Sequence, residues 1–159
     1  MKRVISLIFC MAFVYNLFSQ NNLYNLLGEK VKVDFSKTTI AIAYSQSSCH
    51  SCYNDINKYL TKNNLFDSIQ IIVFANIDKS EKEDMQIKRT LYDDMKKYFP
   101  TCENIYFNTK KKRGKPSFFS INMNEYQLPN LFMITNKKLK VFFPSSEAFL
   151  RYEMQANNL

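Results

Sequence analysis

The spacing of apolar and polar residues predicts a strand, a helix and a second strand in the middle of the chain. Residues 38–44 and 69–75 are short apolar runs rich in β-branched side chains, which is typical of buried strands. Between them, apolar residues recur at helical spacing from Cys49 to about Thr61. A strand, a helix and a strand in this order indicate a βαβ unit with parallel strands.

The flanking segments predict the remaining elements of an α/β protein. Residues 21–27 suit a short helix, and the alternation of Val31, Val33 and Phe35 with polar residues suits a half-buried strand. The downstream pattern predicts, in order, an amphipathic helix at 80–99, a strand at 105–107, a hairpin at 131–135 and 139–143, and a last helix from Ser145. The prediction is therefore one mixed sheet, built from the βαβ unit, a following β-hairpin and a C-terminal helix.

The first residues have the pattern of an export signal. Met1-Lys2-Arg3 is basic, residues 4–18 are almost unbroken apolar sequence, and Ser19 is small. The apolar run is shorter than the roughly 20 residues of a membrane-spanning helix. We expect residues 1–19 to be a cleaved signal peptide, with a retained membrane anchor as the alternative, and residues 20–159 to form one domain.

Composition and charge fit an exported globular domain. The chain is 46% hydrophobic, which supports an ordinary core and excludes a disordered chain. Its net charge of +8 falls to +6 without residues 1–19, because two basic and no acidic residues are lost. A basic run at 110–115 is expected to be a solvated loop, and no nucleic-acid partner is expected, because no aromatic stacking pattern accompanies it.

The central motif is Cys49-His50-Ser51-Cys52, which follows a predicted buried strand and opens a predicted helix. Cysteines at i and i+3 of a first turn share one face and can close a disulfide. Free backbone N–H groups and the helix dipole favour a thiolate at Cys49. The motif therefore predicts that Cys49 attacks a substrate disulfide and that Cys52 resolves the mixed disulfide.

Residues near the two cysteines are expected to tune them. His50 and Ser51 lie between them, and a protonated His50 would stabilise the thiolate and make the dithiol more oxidising. The alternative is that His50 is an exposed polar residue at a helix start. Asp55 could exchange a proton with Cys52, but an ordinary first-turn acid is the favoured interpretation. Ser47 or Ser48 is the expected helix N-cap.

Other uses of the cysteines are weaker. Haem attachment is excluded because Tyr53, not histidine, follows Cys52. A zinc site would require the adjacent Cys49 and His50 to converge on one ion, so no metal and no cofactor are expected. A purely structural disulfide stays open. Cys102 is expected to be a semi-buried thiol, with a third redox partner or a dimer link as alternatives.

The chain resembles the thioredoxin superfamily, most of all the exported bacterial redoxins related to the thioredoxin-like proteins of cytochrome maturation. The resemblance covers nearly all of residues 27–157. Residues 27–33 look like the small N-terminal hairpin of that group, 38–52 like its strand, active-site loop and helix, and 128–134 like its cis-proline and following strand. It implies a thioredoxin-like three-layer fold and a periplasmic thiol-disulfide oxidoreductase.

The resemblance also implies roles for single residues and for partners. Pro129 would be cis and, with Leu128, would line a substrate groove beside the dithiol, and Asp55 matches an acidic helix position of some members. The implied partners are protein thiols or disulfides and a redox protein that recharges the dithiol, with membrane contact only if residues 1–19 are retained. The alternative is a non-catalytic thioredoxin-fold interaction module with a structural disulfide.

Departures from the family pattern leave substrate, potential and direction open. Ser48 stands where thioredoxins carry Trp, and His50-Ser51 stands where they carry Gly-Pro. Ala43 occupies the position of the buried acid of cytosolic thioredoxin, so that proton relay is missing. Gln46 stands where a peroxiredoxin-like site requires Thr or Ser, which argues against a peroxidase.

Overall fold

The computed structural model describes residues 23–109, 130–136, 138–143, 147 and 149–151. Its elements, in chain order, are β1 (Leu23–Tyr24), β2 (Thr39–Tyr44), α1 (His50–Lys62), α2 (Leu65–Ser68), β3 (Gln70–Ile77), a 3₁₀ turn (Lys79–Glu81), α3 (Met85–Tyr98), β4 (Ile105–Thr109), β5 (Asn130–Thr135) and β6 (Lys138–Phe143). Residues 147 and 149–151 are helical. The predicted α/β class is confirmed, whereas the predicted signal segment 1–19 lies outside the described residues.

The described strands form one mixed sheet in the order β1-β4-β3-β2-β5-β6. Strands β2, β3 and β4 are parallel neighbours, so β2-α1-β3 is the predicted βαβ unit. Strands β5 and β6 form the predicted antiparallel hairpin, and β5 also runs antiparallel to β2. Parallel strands end at the same edge of a sheet, and the antiparallel β5 begins at that edge, where Asn130 lies opposite Ala43.

Each face of the sheet carries its own hydrophobic cluster. Helices α1 and α3 and the C-terminal helical residues contribute to the first cluster, where Tyr53, Ile56 and Leu60 of α1 are fully buried. Their helical spacing is the reason this segment forms an amphipathic helix against a sheet. The second cluster, on the other face, includes Phe35, with Val33 packed against it.

The predicted helix at residues 21–27 is wrong. Leu23 and Tyr24 form β1 instead, and they pair antiparallel with β4. A turn follows, in which the Gly28 N–H donates to the Asn25 carbonyl at 3.0 Å and Gly28 takes a φ of 84°, which glycine adopts at little cost. The strand forms in place of the helix because pairing with β4 buries Leu23 almost completely.

The predicted strand at Val31, Val33 and Phe35 is also wrong. No strand is formed there, and the nearest pairing is an isolated bridge between Tyr24 and Lys30. The alternation did identify the inward side, because Phe35 is buried and Val33 half-buried. Side-chain burial therefore alternates along this segment, although its backbone does not form a strand of the sheet.

The long predicted helix at 80–99 is shorter in the structure. Helix α3 begins at Met85, because the Asp84 carboxylate accepts hydrogen bonds from the N–H groups of Gln86 and Ile87. The preceding residues Lys79–Glu81 form only a 3₁₀ turn. In the part of the chain that the structure describes, no helix combines the length and apolarity needed to cross a membrane.

Candidate functional site

The Cys-x-x-Cys motif lies where β2 passes into α1. Residues 45–48 join the two elements, and the Ser48 N–H donates to the Ser45 carbonyl at 3.1 Å. The N-cap residue of α1 is Cys49, with an extended backbone, so the expected cap at Ser47 or Ser48 is wrong by one or two positions. The turn at 45–48 delays the helix, which makes Cys49 the residue directly before the first turn, where helical N–H groups have no intrahelical partners. In the oxidised protein the Cys49 side chain makes no capping hydrogen bond with them.

Cys49 and Cys52 are joined by a disulfide, with 5.4 Å between their Cα atoms. Both residues are half-buried, so the bond is within reach of a partner in solution. The Cys49 sulfur lies 3.1 Å from the Ser51 hydroxyl oxygen. A disulfide sulfur has no hydrogen, so Ser51 donates, and the same hydroxyl could donate to a Cys49 thiolate in the reduced protein.

The His50 imidazole contacts the loop and α3. Its Nε2–H donates to the Gln46 backbone carbonyl at 3.2 Å, and its ring lies over the Tyr98 ring with 5.3 Å between centroids. Among the described residues, these are the polar and aromatic partners of the ring, and Cys49 is not one of them. The ring direction that the sequence left open is therefore toward Tyr98.

Tyr53 ties the start of α1 to the end of β2. Its hydroxyl accepts a hydrogen bond from the Ser45 N–H at 2.9 Å and donates to the Ala43 carbonyl at 3.2 Å. The side chain is fully buried, and burial raises the pKa of its phenol. A neutral phenol thus satisfies two backbone groups at the point where the chain leaves the sheet for the motif.

Helix α3 holds the same loop from the other side. The Gln46 side-chain amide donates to the Asp94 carboxylate at 3.2 Å. Burial, together with the nearby charge of Asp94, raises the pKa of Tyr44 well above its ordinary value. The centroid of the Tyr44 ring lies 5.2 Å from that of the Tyr53 ring and 6.3 Å from that of the Tyr98 ring. The site therefore rests on a layer of aromatic rings between α1 and α3.

Three of these contributors were missed in the sequence: Tyr53, Asp94 and Tyr98. Asp94 and Tyr98 are four residues apart and so share one face of α3, which is a signal that the sequence does contain. Which element that face meets depends on how α3 packs on the sheet, and the sequence pattern does not specify this.

The other predicted site residues are less informative. Asp55 is exposed on α1, and no hydrogen bond links it to Cys52 among the described residues. The interpretation of Asp55 as a first-turn acid is wrong, because α1 begins at His50 and its first turn contains no acidic residue. Leu128 and Pro129 lie outside the described residues. The first described residue after them, Asn130, pairs with Ala43 at the edge of the sheet where the dithiol lies.

Cys102 does not belong to the site. It is almost completely buried, and its sulfur lies 3.7 Å from the carbonyl oxygens of Ile71 and Asn104. Burial raises the pKa of its thiol. Cys102 is thus more deeply buried than the expected semi-buried thiol, and within the described residues the Cys49–Cys52 pair is the cysteine chemistry that solvent can reach.

The geometry, rather than a relative, indicates what the site can do. A disulfide at a helix start is reachable from solvent, and it can exchange with thiols. Within the described ranges, no group of three or more His, Cys, Asp or Glu side chains is arranged to hold a metal ion. No protein-family model matches the chain, and no curated protein matches it significantly.

Proposed function

We propose that the chain is an extracytoplasmic thiol-disulfide oxidoreductase with a thioredoxin-like fold, in which Cys49 and Cys52 are the exchanging pair. The observation that carries the proposal is the reachable disulfide between the N-cap residue and the first turn of α1. A thiolate formed at Cys49 is stabilised there by unpaired backbone N–H groups and by the helix dipole. The buried Cys102 offers no competing reactive thiol.

The strand arrangement supports the thioredoxin-like part of the proposal. A βαβ unit that carries the motif, followed by an antiparallel hairpin on the side of β2, matches the order that the resemblance implies. Asn130 pairs with Ala43 at the edge of the sheet where the dithiol lies, and the resemblance implies that Leu128 and Pro129, which precede Asn130 in the sequence, line a substrate groove.

In the reducing direction, the reduced protein begins the reaction. The Cys49 thiolate attacks one sulfur of a substrate disulfide, the substrate S–S bond breaks, and the released substrate thiolate takes up a proton. The Cys52 thiol then loses its proton and attacks the Cys49 sulfur of the mixed disulfide. The second substrate thiol leaves, and the Cys49–Cys52 disulfide is regenerated with two electrons transferred to the substrate.

The surrounding residues hold the pair in place for these steps. Ser51 can donate a hydrogen bond to the Cys49 thiolate from its present position, 3.1 Å from the sulfur. Tyr53 and Gln46 fix the loop that precedes Cys49 through hydrogen bonds to β2 and to α3. A fixed loop limits the reorganisation needed when the disulfide opens and closes.

The sequence supports the proposed location, and the chemistry of the dithiol supports the proposed partners. A signal at residues 1–19 would deliver the protein to a compartment in which disulfides persist. A second redox protein must recharge the dithiol after each turnover, and that protein sets whether substrates are reduced or oxidised.

Reduction of insulin disulfides by dithiothreitol tests the proposal. We expect the protein to accelerate the reaction, Cys49→Ser to reduce the rate to that of dithiothreitol alone, and the matched control Cys102→Ser to retain the acceleration. Cys52→Ser should accumulate a mixed disulfide, seen by mass spectrometry as an adduct on Cys49. If the unaltered protein gives no acceleration and Cys49→Ser retains full partner binding, the chain is instead an interaction module with a structural disulfide.

A further inference from the structure

The contact between His50 and α3 bears on the redox potential of the dithiol, and this inference rests on the proposed function. Tyr98 is 8% exposed and lies among three other rings. Its centroid is 5.3 Å from that of His50, 5.6 Å from that of Tyr53 and 6.3 Å from that of Tyr44. The Tyr98 ring is therefore a fixed, buried surface against which the exposed imidazole lies.

The imidazole is also held at its edge. Its Nε2–H donates to the Gln46 carbonyl at 3.2 Å, and the Gln46 side chain donates to Asp94 at 3.2 Å. Asp94 and Tyr98 are one turn apart on α3. Two residues of one face of α3 thus hold His50 in place: Tyr98 by direct contact with its ring, and Asp94 through the Gln46 side chain.

This placement changes the expected effect of a histidine between two cysteines. An imidazolium close to a thiolate stabilises it and makes the disulfide more oxidising. Here the polar group in contact with the Cys49 sulfur is the Ser51 hydroxyl, and the imidazole is bound to Gln46 and Tyr98. The histidine belongs to the motif, but its ring contacts Gln46 and Tyr98 and not the Cys49 sulfur.

We infer that Tyr98 is a positioning residue that holds the His50 imidazole against α3, and so keeps the dithiol more reducing than a free histidine in this motif would make it. Other charged groups of α3 lie near the same ring: Asp94 through Gln46, and Lys97, whose Nζ is 5.8 Å from the Tyr98 centroid. A Tyr98 variant changes neither of these charges, and comparison with the same variant in a His50→Ala background separates any effect of their movement from that of the imidazole.

A double-mutant cycle with redox titration in glutathione buffers tests this inference. Tyr98→Leu removes the surface against which the imidazole lies and leaves only the exposed hydrogen bond of its Nε2 to the Gln46 carbonyl, which the ring can exchange for water. In buffers acidic enough to keep the imidazole protonated, the equilibrium constant for oxidation of glutathione by the protein should then rise about fivefold, which is the effect of one unit charge at about 4 Å in water. Fivefold corresponds to a potential about 20 mV higher for a two-electron couple. In the His50→Ala background, Tyr98→Leu should change the constant less than about twofold, because the charge that moves is gone.

Two further variants control for structural effects. Tyr98→Phe keeps the ring and should stay within about twofold of the unaltered protein. Tyr92→Leu makes the matched change on a half-buried tyrosine of the same helix, away from His50, and should leave the constant unaltered. The inference is overturned if Tyr98→Leu leaves the constant unchanged, or if its effect persists without His50.

A measurement on the unaltered protein covers the case in which Tyr98→Leu does not fold. A ring held over the face of Tyr98 should show imidazole proton resonances shifted upfield from those of the unfolded chain, and Tyr98→Phe should preserve the shift. Resonances at unfolded-chain positions would contradict the inference. Failure of the proposed function gives a different result, because the unaltered protein would then show no reversible dithiol couple at all.

Discussion

The two thiol environments of this chain differ in almost every property that controls sulfur reactivity. Cys49 and Cys52 lie half-buried at the beginning of a helix, joined to each other. Cys102 lies beyond the end of α3, almost completely buried, with its sulfur facing backbone carbonyls. Unpaired N–H groups at a helix start favour a thiolate, whereas burial beside carbonyl oxygens favours the neutral thiol. These surroundings favour reactivity at the first site, as the proposed function requires, whereas burial favours a neutral, unreactive thiol at the second.

Both sites are held by side chains of α3, but with opposite results. Lys96 donates to the carbonyl oxygens of Cys102 and Pro100, at 2.8 and 3.3 Å, and so closes the loop over the Cys102 thiol. Asp94 and Tyr98 hold the loop and the histidine beside the dithiol, which stays open to solvent. Helix α3 therefore contributes to the burial of Cys102 and to the support of the solvent-accessible Cys49–Cys52 pair.

The largest expected difference is in the rate of alkylation of the reduced protein. Cys102 can react only after local opening, and an opening free energy of about 4 kcal/mol makes it roughly a thousandfold slower than Cys49. Timed iodoacetamide labelling read by peptide mass measures both rates in one sample. Labelling in guanidinium chloride is the control, and there the rates should converge. Similar rates in the folded protein would remove the contrast between the two sites.

Loss of the Tyr53 hydroxyl should weaken the support of the dithiol. Tyr53→Phe leaves the Ser45 N–H and the Ala43 carbonyl without their shared partner, which should cost about 2 kcal/mol of unfolding free energy. Urea unfolding of the oxidised protein measures the cost. The matched control Tyr92→Phe should cost less than about 0.5 kcal/mol, and equal costs would show that Tyr53 has no special part in the loop.

Truncation of the cysteines should separate packing from chemistry in the reduced protein. Cys102→Ala removes a buried sulfur and should lower the unfolding free energy by about 1 kcal/mol, with the dithiol potential unchanged. Cys49→Ala should cost clearly less under reducing conditions, because its side chain is only half-buried. The reverse order of costs would contradict the division between the two sites.

The smallest expected effect concerns the loop that covers Cys102. Lys96→Met keeps the aliphatic stem but removes the two hydrogen bonds to the Cys102 and Pro100 carbonyls. Local opening should become easier by about 0.5 kcal/mol, so Cys102 should be alkylated roughly twofold faster. Lys97→Met, on the exposed side of the helix end, is the control and should leave the rate unchanged.

The central part of the fold could be predicted because its signals are local. The apolar runs of β2 and β3 and the helical spacing of α1 each depend on a few neighbouring residues, and all three elements are confirmed. The helix expected at 21–27 failed because Leu23 is buried by pairing with β4, which lies more than eighty residues further along the chain. No local pattern contains that contact.

The candidate site divides in the same way. The cysteine pair and its place at a helix start could be predicted from spacing alone, apart from the shift of the cap to Cys49. The part played by Tyr53 could not, because it depends on how the start of α1 packs on the end of β2. The part played by Tyr98 could not either, because it depends on how α3 packs against the start of α1. His50 could be identified as a candidate, but the direction of its ring is set by Tyr98 and Gln46.

The redox state of the purified protein across a series of glutathione buffers would show whether Cys49 and Cys52 form a reversible redox couple. Alkylation and intact mass would report how many thiols are free at each ratio of reduced to oxidised glutathione. We expect Cys49 and Cys52 to titrate together as one reversible two-electron couple, while Cys102 stays reduced throughout. A Cys49–Cys52 disulfide that remains closed under every buffer in which the protein stays folded would contradict the account and favour a structural disulfide.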